Sequence, residues 1–122
     1  MIERDLYDYV QADIPDAVVY WGKISKDEDF DTDPIISFIK VPSSTNQFTP
    51  VYLDNFQFTI RHKYIDKVTE YMNKVITSLQ FKEGNIGSYQ VYVPGVLNNG
   101  ILYEEEDIVA GIVTISIRYI GL

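Results

Sequence analysis

The residues that decide the fold are Phe56-Gln57-Phe58-Thr59-Ile60-Arg61-His62-Lys63-Tyr64, followed at once by Ile65-Asp66-Lys67-Val68. Phe56, Phe58 and Ile60 alternate with Gln57, Thr59 and Arg61. Successive side chains of a strand point to opposite faces, so this strand has one apolar and one polar face. It belongs in a sheet packed on one side and wet, or covered by a partner, on the other. From Tyr64 to Phe81 the period changes. Ile65, Val68, Met72, Val75, Ile76 and Leu79 form one helical stripe, with Lys67, Glu70, Asn73, Lys74 and Ser78 largely off it. Glu70 and Lys74 stand one turn apart in the favourable order, and Gly84 and Gly87 close the segment. The helix therefore covers the apolar face of the sheet.

Upstream, Ile2 to Gln11 reads as a short helix with Leu6, Tyr9 and Val10 on one side and Glu3 and Asp5 in its first turn. Pro15 stops it, and Val18-Val19-Tyr20-Trp21 follows as a β-branched and aromatic strand. Lys23 to Pro34 is an acidic loop, and a second strand runs from about Pro34 to Val41 until the turn formers 42–47 end it. Downstream, Tyr89 to Val93 alternates, Pro94-Gly95 turns, and Asn98-Asn99-Gly100 turns again. The last strand, Ile108 to Ile120, sets Val113, Ile115, Ile117 and Tyr119 against Thr114, Ser116 and Arg118, with a bend expected at Gly111. The expectation is a single α+β domain over residues 1–122: one mainly antiparallel sheet, one long helix packed on one face, and a short N-terminal helix. Its other face, with Thr59, Arg61, Thr114, Ser116 and Arg118, is polar and free to meet water or another copy.

Composition narrows the chemistry. The chain has 122 residues, 10 Lys+Arg against 18 Asp+Glu, one histidine and no cysteine. That excludes disulfides, thiolate chemistry and cysteine-held metals. The acidic balance argues against a phosphate-binding face, since Arg61, Lys63 and Lys67 are its densest basic patch. No run approaches the ~20 apolar residues of a membrane span, and the start lacks the basic and apolar regions of a signal peptide. The chain is expected to stay in the cytoplasm where it is made. Its 10 Tyr and 6 Phe suit surfaces that become buried on assembly.

No catalytic site emerges. His62 beside Arg61 and Lys63 has no marked nucleophile nearby, so it reads as a polar strand end rather than a general base. Ser43 and Ser44 lack the strand–turn–helix setting of a hydrolase serine. Asp27, Asp29, Asp31 and Asp33 alternate as in a calcium loop, but such a loop needs glycine at its sixth position and glutamate at its twelfth. Counting from Asp27 these are Thr32 and Phe38; from Asp29 they are Pro34 and Lys40. No cofactor or metal is expected. Glu104-Glu105-Glu106-Asp107 reads first as a turn between strands and, in a ring of subunits, as a negative surface around an axis.

The strand ending in Arg61, the Tyr64 that opens a helix with Val68, Ile76 and Leu79, and Ile14-Pro15-Asp16-Ala17-Val18-Val19-Tyr20 after a short helix carry a resemblance. Together with the closing Ile-Val-Thr-Ile-Ser-Ile strand, they resemble the tail-terminator and tail-completion proteins of long-tailed bacteriophages. The group often labelled minor capsid proteins in phages of Gram-positive hosts is especially similar. The resemblance implies a non-enzymatic virion assembly protein, made in the host cytoplasm and placed in the tail or neck. It implies a homo-oligomeric ring, a hexamer, that caps the tail tube and joins it to the head connector protein. DNA would pass through without being specifically bound. Arg61, Arg118, Thr59 and Tyr64 would then face a subunit or partner. Asp27, Glu28, Asp29, Asp31, Asp33, Glu104, Glu105, Glu106 and Asp107 would face the lumen or a partner. A rival from another class is a small regulatory domain that binds a metabolite or peptide on its exposed sheet.

Overall fold

A computed structural model describes residues 2–22, 33–41, 51–103 and 108–121. The elements are α1 (Ile2–Asp13), β1 (Val18–Trp21), β2 (Ile35–Val41), β3 (Tyr52–His62), α2 (Ile65–Leu79), β4 (Glu83–Ile86), β5 (Tyr89–Tyr103) and β6 (Val109–Gly121). The fold is α+β: two helices and one curled six-stranded sheet in the order β1-β2-β3-β6-β5-β4. The sheet is mixed. β1 and β2 run parallel, while β2–β3, β3–β6, β6–β5 and β5–β4 are antiparallel. A parallel pair needs a crossover of about a dozen residues or more, which the stretch between Trp21 and Ile35 is long enough to supply.

The alternation in β3 sorts its side chains as the sequence implies. Phe56, Phe58 and Ile60 are fully buried, while Gln57, Thr59 and Arg61 are half-exposed. Phe38 of β2 stacks on Phe58 with ring centroids 5.2 Å apart and meets Phe56 edge-on at 6.4 Å. Val113, Ile115 and Ile117 of β6 complete this face. α2 lies across it through Val68, Tyr71, Met72, Val75 and Leu79. The buried stripe is rotated from the expected one: Ile65 is exposed, Ile76 half-buried, and Tyr71 takes a core place. Tyr71 reaches across to the α1–β1 turn, where its hydroxyl donates to Asp16 Oδ2 at 2.5 Å.

Two stretches depart from the expected layout. The anticipated turns at Pro94-Gly95 and Asn98-Asn99-Gly100 are absorbed within β5, whose pairing with β6 shifts register between Tyr92 and Gly95 and again between Val96 and Asn98. Bulges of this kind let a strand carry a proline, which has no N–H to give. β4 is an additional strand, returned into β5 through Gly87, whose φ of 57° favours glycine.

α1 packs against both β1 and β4, the two edge strands of the sheet, with Ile2, Leu6 and Val10 buried. Gln11 at its end does the work of a neighbouring strand for β1. Its Oε1 accepts from Val19 N–H at 3.1 Å, and its Nε2 donates to the carbonyls of Ala17 (2.9 Å) and Ile14 (3.3 Å).

Candidate functional site

The face of the sheet opposite the helices is the surface on which the sequence places its interface residues. Directly paired residues share a face, so the register fixes its rows. Ile35, Arg61, Ala110 and Leu102 form one row, and Ser37, Thr59 and Ile112 a second. Asn55 and Ser116 follow further along, and Leu53, Arg118 and Tyr92 form the row at the other end. The centre is polar yet largely sheltered, with Ser37, Thr114 and Ser116 all buried. Among the described residues, neither helix covers this face.

The two arginines expected at an interface stand apart. Arg61 pairs in register with Ala110 and Arg118 with Leu53, so eight residues of β6 separate them, roughly 27 Å at ~3.4 Å per residue. Arg61 Nη1 donates to Ser37 Oγ at 3.1 Å. With Thr59 and Gln57 they line a cavity of about 330 Å³ at the β2–β3 end of the face. A guanidinium fork beside two hydroxyls and an amide can donate to a carboxylate or a phosphate. Arg118 is the one exposed residue of β6 before Gly121. Among the described residues no carboxylate pairs with it.

Tyr64 is exposed at the N-cap of α2, in extended backbone conformation, and its hydroxyl caps nothing on the helix. Its N–H donates to His62 Nδ1 at 3.0 Å. His62 is the last residue of β3, as expected of a strand end, but it is buried rather than at the surface. The arrangement fixes the entry angle of α2, and a ring so enclosed is badly placed to serve a substrate. Asp33 is exposed just ahead of β2. Asp27, Glu28, Asp29, Asp31, Glu104, Glu105, Glu106 and Asp107 lie outside the described residues.

One cluster escaped the sequence reading. Asp54 is 4% exposed on the core face, where it accepts a hydrogen bond from the Tyr119 hydroxyl and pairs with Lys40 Nζ at 3.4 Å. Burial, then the hydrogen bond and charge of Asp54, push the Tyr119 hydroxyl above its ordinary pKa of 10.0. Tyr119 also stacks on Tyr52 (5.4 Å) and meets Tyr89 edge-on (5.5 Å). The signal was present in the sequence: Asp54 shares the parity of Phe56, Phe58 and Ile60, so it is a carboxylate in an apolar register.

A cleft of about 620 Å³ lies between α1 and α2 and is lined by Tyr9, Asp16, Glu70, Lys74 and Ser78 among others. Its walls are tied to each other. Tyr9 donates to Ser78 O at 2.8 Å, and Lys74 Nζ stands 3.3 Å from Asp16 and 3.7 Å from Glu70. The expected Glu70–Lys74 pair therefore forms and is shared with Asp16. Among the described residues no group of three or more His, Asp or Glu side chains could hold a metal ion. No helix among them is long and apolar enough to cross a membrane.

No protein-family model matches the chain, and no curated protein matches it. Solved structures do match, in 17 chains, so the architecture is not peculiar to this sequence. One of them, a protein whose designation names no activity, aligns over 99% of this chain and 92% of its own with a TM-score of 0.60. At 14% sequence identity, this likeness is one of fold.

Proposed function

We propose that this chain is a non-enzymatic virion assembly protein, a phage tail terminator whose ring caps the tail tube and joins it to the head connector. The fold this reading needs is a mainly antiparallel sheet with one long helix on one face and a short N-terminal helix. The observation that carries it is the sheet face opposite the helices. That face is polar at its centre, edged by exposed Ile39, Leu53, Tyr92 and Leu102, and uncovered by either helix among the described residues. Arg and Tyr beside exposed aliphatic residues are the composition of surfaces that bind protein. The net charge of −8 suits a channel through which DNA passes without sticking. Arg61 with Thr59, Arg118 and Tyr64 supply the subunit and partner contacts, and the acidic residues face the lumen or a partner.

The test is to add the purified chain to polymerising tail-tube protein from the same genome. The expected result is shorter tubes whose ends carry a ring and no longer grow. Tube growth and length unaffected by an excess of the chain would overturn the reading. A second reading, a small domain binding a metabolite or peptide on the same face, draws on the Arg61–Ser37–Thr59 cavity. It predicts saturable binding of a small carboxylate or phosphate that Arg61→Ala abolishes, with no effect on tubes.

A further inference from the structure

We infer that the row Arg118–Tyr92–Glu83, on the sheet face opposite the helices, is a contact between two copies of this chain related by a two-fold axis that runs along the strands and passes over Tyr92. Such a contact is separate from the ring proposed above: it closes on two copies, while a ring joins two unlike surfaces.

The register sets the row. Arg118 of β6 pairs with Tyr92 of β5, and Tyr92 pairs with Glu83 of β4, so the three side chains share one face of adjacent strands. All three are exposed, Tyr92 to 44%. They border one hollow of about 230 Å³, with Val51, Gln90 and Ile120 among its other walls. Arg118 and Glu83 lie two strand spacings apart, roughly 9.6 Å, with Tyr92 between them. Neither meets an opposite charge among the described residues.

The order of charge selects the occupant. Across the strands the row runs positive, aromatic, negative. A two-fold axis in the plane of contact and parallel to the strands reverses that order. Arg118 of each copy then lands opposite Glu83 of the other, and Tyr92 meets its own counterpart over the axis. One contact forms two ion pairs around two rings, which is the self-complementarity an isologous interface requires. Arg and Tyr are also the residues that anchor protein contacts.

Apolar surface flanks the row on both sides. Leu53, next to Arg118 on β3, is exposed. Phe81, two residues before Glu83, is 66% exposed, and its φ of 59° is a conformation that glycine adopts at lower cost. One of its ring carbons stands 3.9 Å from where a β-carbon on Gly95 would be, and Gly95 pairs with Ser116, two residues along β6 from Arg118. A ring kept in water at a cost to its own backbone is accounted for when a second copy covers it.

The experiment is sedimentation velocity over a concentration series. It compares wild type, Arg118→Glu, Glu83→Arg, the two single variants mixed in equal amounts, and the chain carrying both changes. Wild type should form dimers. Each single variant sets like charges opposite each other at both ends of the row, so its dimer should weaken by roughly tenfold or more. Both changes together restore opposite charges, and that chain should dimerise to within about threefold of wild type. The mixture is the stricter case. An Arg118→Glu copy carries two acids in its row and a Glu83→Arg copy two bases, so the two should bind each other although neither binds itself. Both positions are exposed, and far-ultraviolet circular dichroism confirms that each variant is folded. A wild-type chain that stays monomeric, single variants that self-associate like wild type, or a mixture or doubly changed chain that fails to recover would each overturn the contact. Tube capping is read separately, so either proposal can fail alone.

Discussion

Gly111 of β6 lies directly under Met72 of α2, with no room for a side chain between them. A β-carbon at Gly111 would clash with Met72 Sδ and come within 2.8 Å of Val68 Cγ1. The absence of that one carbon sets how closely the helix approaches the sheet. Val68 is stiff at χ1 and cannot turn aside, although the end of Met72 can. Gly111→Ala should cost about 1–3 kcal/mol by overpacking, read as a lower urea midpoint at unchanged slope. Met72→Ala in the same chain should return part of that loss, because the two sites are in contact.

The Tyr119–Asp54 pair gives the fold an alkaline limit. The folded pKa of Tyr119 lies above its ordinary 10.0, so the folded state holds that proton more tightly than the unfolded chain does. Its contribution is whole below pH 10 and is lost as pH rises beyond. Tyr119→Phe should flatten the fall in stability above pH 10. At pH 7 it should cost about 1–3 kcal/mol, since Asp54 loses its buried donor. Chemical denaturation at pH 7, 10 and 11 checks both.

At the acid end, the hydrogen bond from Tyr71 holds Asp16 below its ordinary 3.8, helped by Lys74 and opposed by desolvation. A carboxylate with a lowered folded pKa adds stability that is present above the unfolded value and lost as pH falls through the folded one. Asp16 is largely in water, so the effect is small, under about 1 kcal/mol for Asp16→Asn at pH 7. The variant should unfold less steeply with acid below pH 4, followed by fluorescence across a pH series.

Gln11 covers the edge of β1, and its replacement tests how. Gln11→Ala removes three side-chain-to-backbone hydrogen bonds. It should cost about 1–2 kcal/mol and leave the edge open to pair with other chains. Gln11→Glu keeps the acceptor for Val19 N–H but presents no donor to Ala17 and Ile14, so it should fall between the two. Thermal unfolding with light scattering separates lost stability from edge pairing.

Much of this architecture is legible in the chain because it rests on local period. Phe56 to Ile60 alternates and Val68 to Leu79 recurs at helical spacing, and each period states which face is buried. What period cannot state is pairing. Glu-Gly-Asn-Ile at 83–86 has no pattern of its own and becomes a strand by lying against Tyr89 to Tyr92. Pro94-Gly95 and Asn98-Asn99-Gly100 carry turn chemistry, yet β6 holds them in one strand as bulges. The parallel β1–β2 pair is likewise a matter of where a long connection returns. The site shows the same division. Parity puts Thr59, Arg61 and Arg118 on one face, but only the register shows that the arginines lie at its two ends and that Leu53 and Tyr92 flank one of them.

Since α1 rests on both edge strands, order of synthesis matters. Ile2–Asp13 is made some seventy residues before Glu83–Ile86, against which it must also pack. Its apolar side, Ile2, Leu6 and Val10, therefore has no complete seat while the chain is still being translated. The helix that closes the structure leaves the ribosome well before the strand it must rest on and is among the last segments to find its place, and folding waits on this long-range contact.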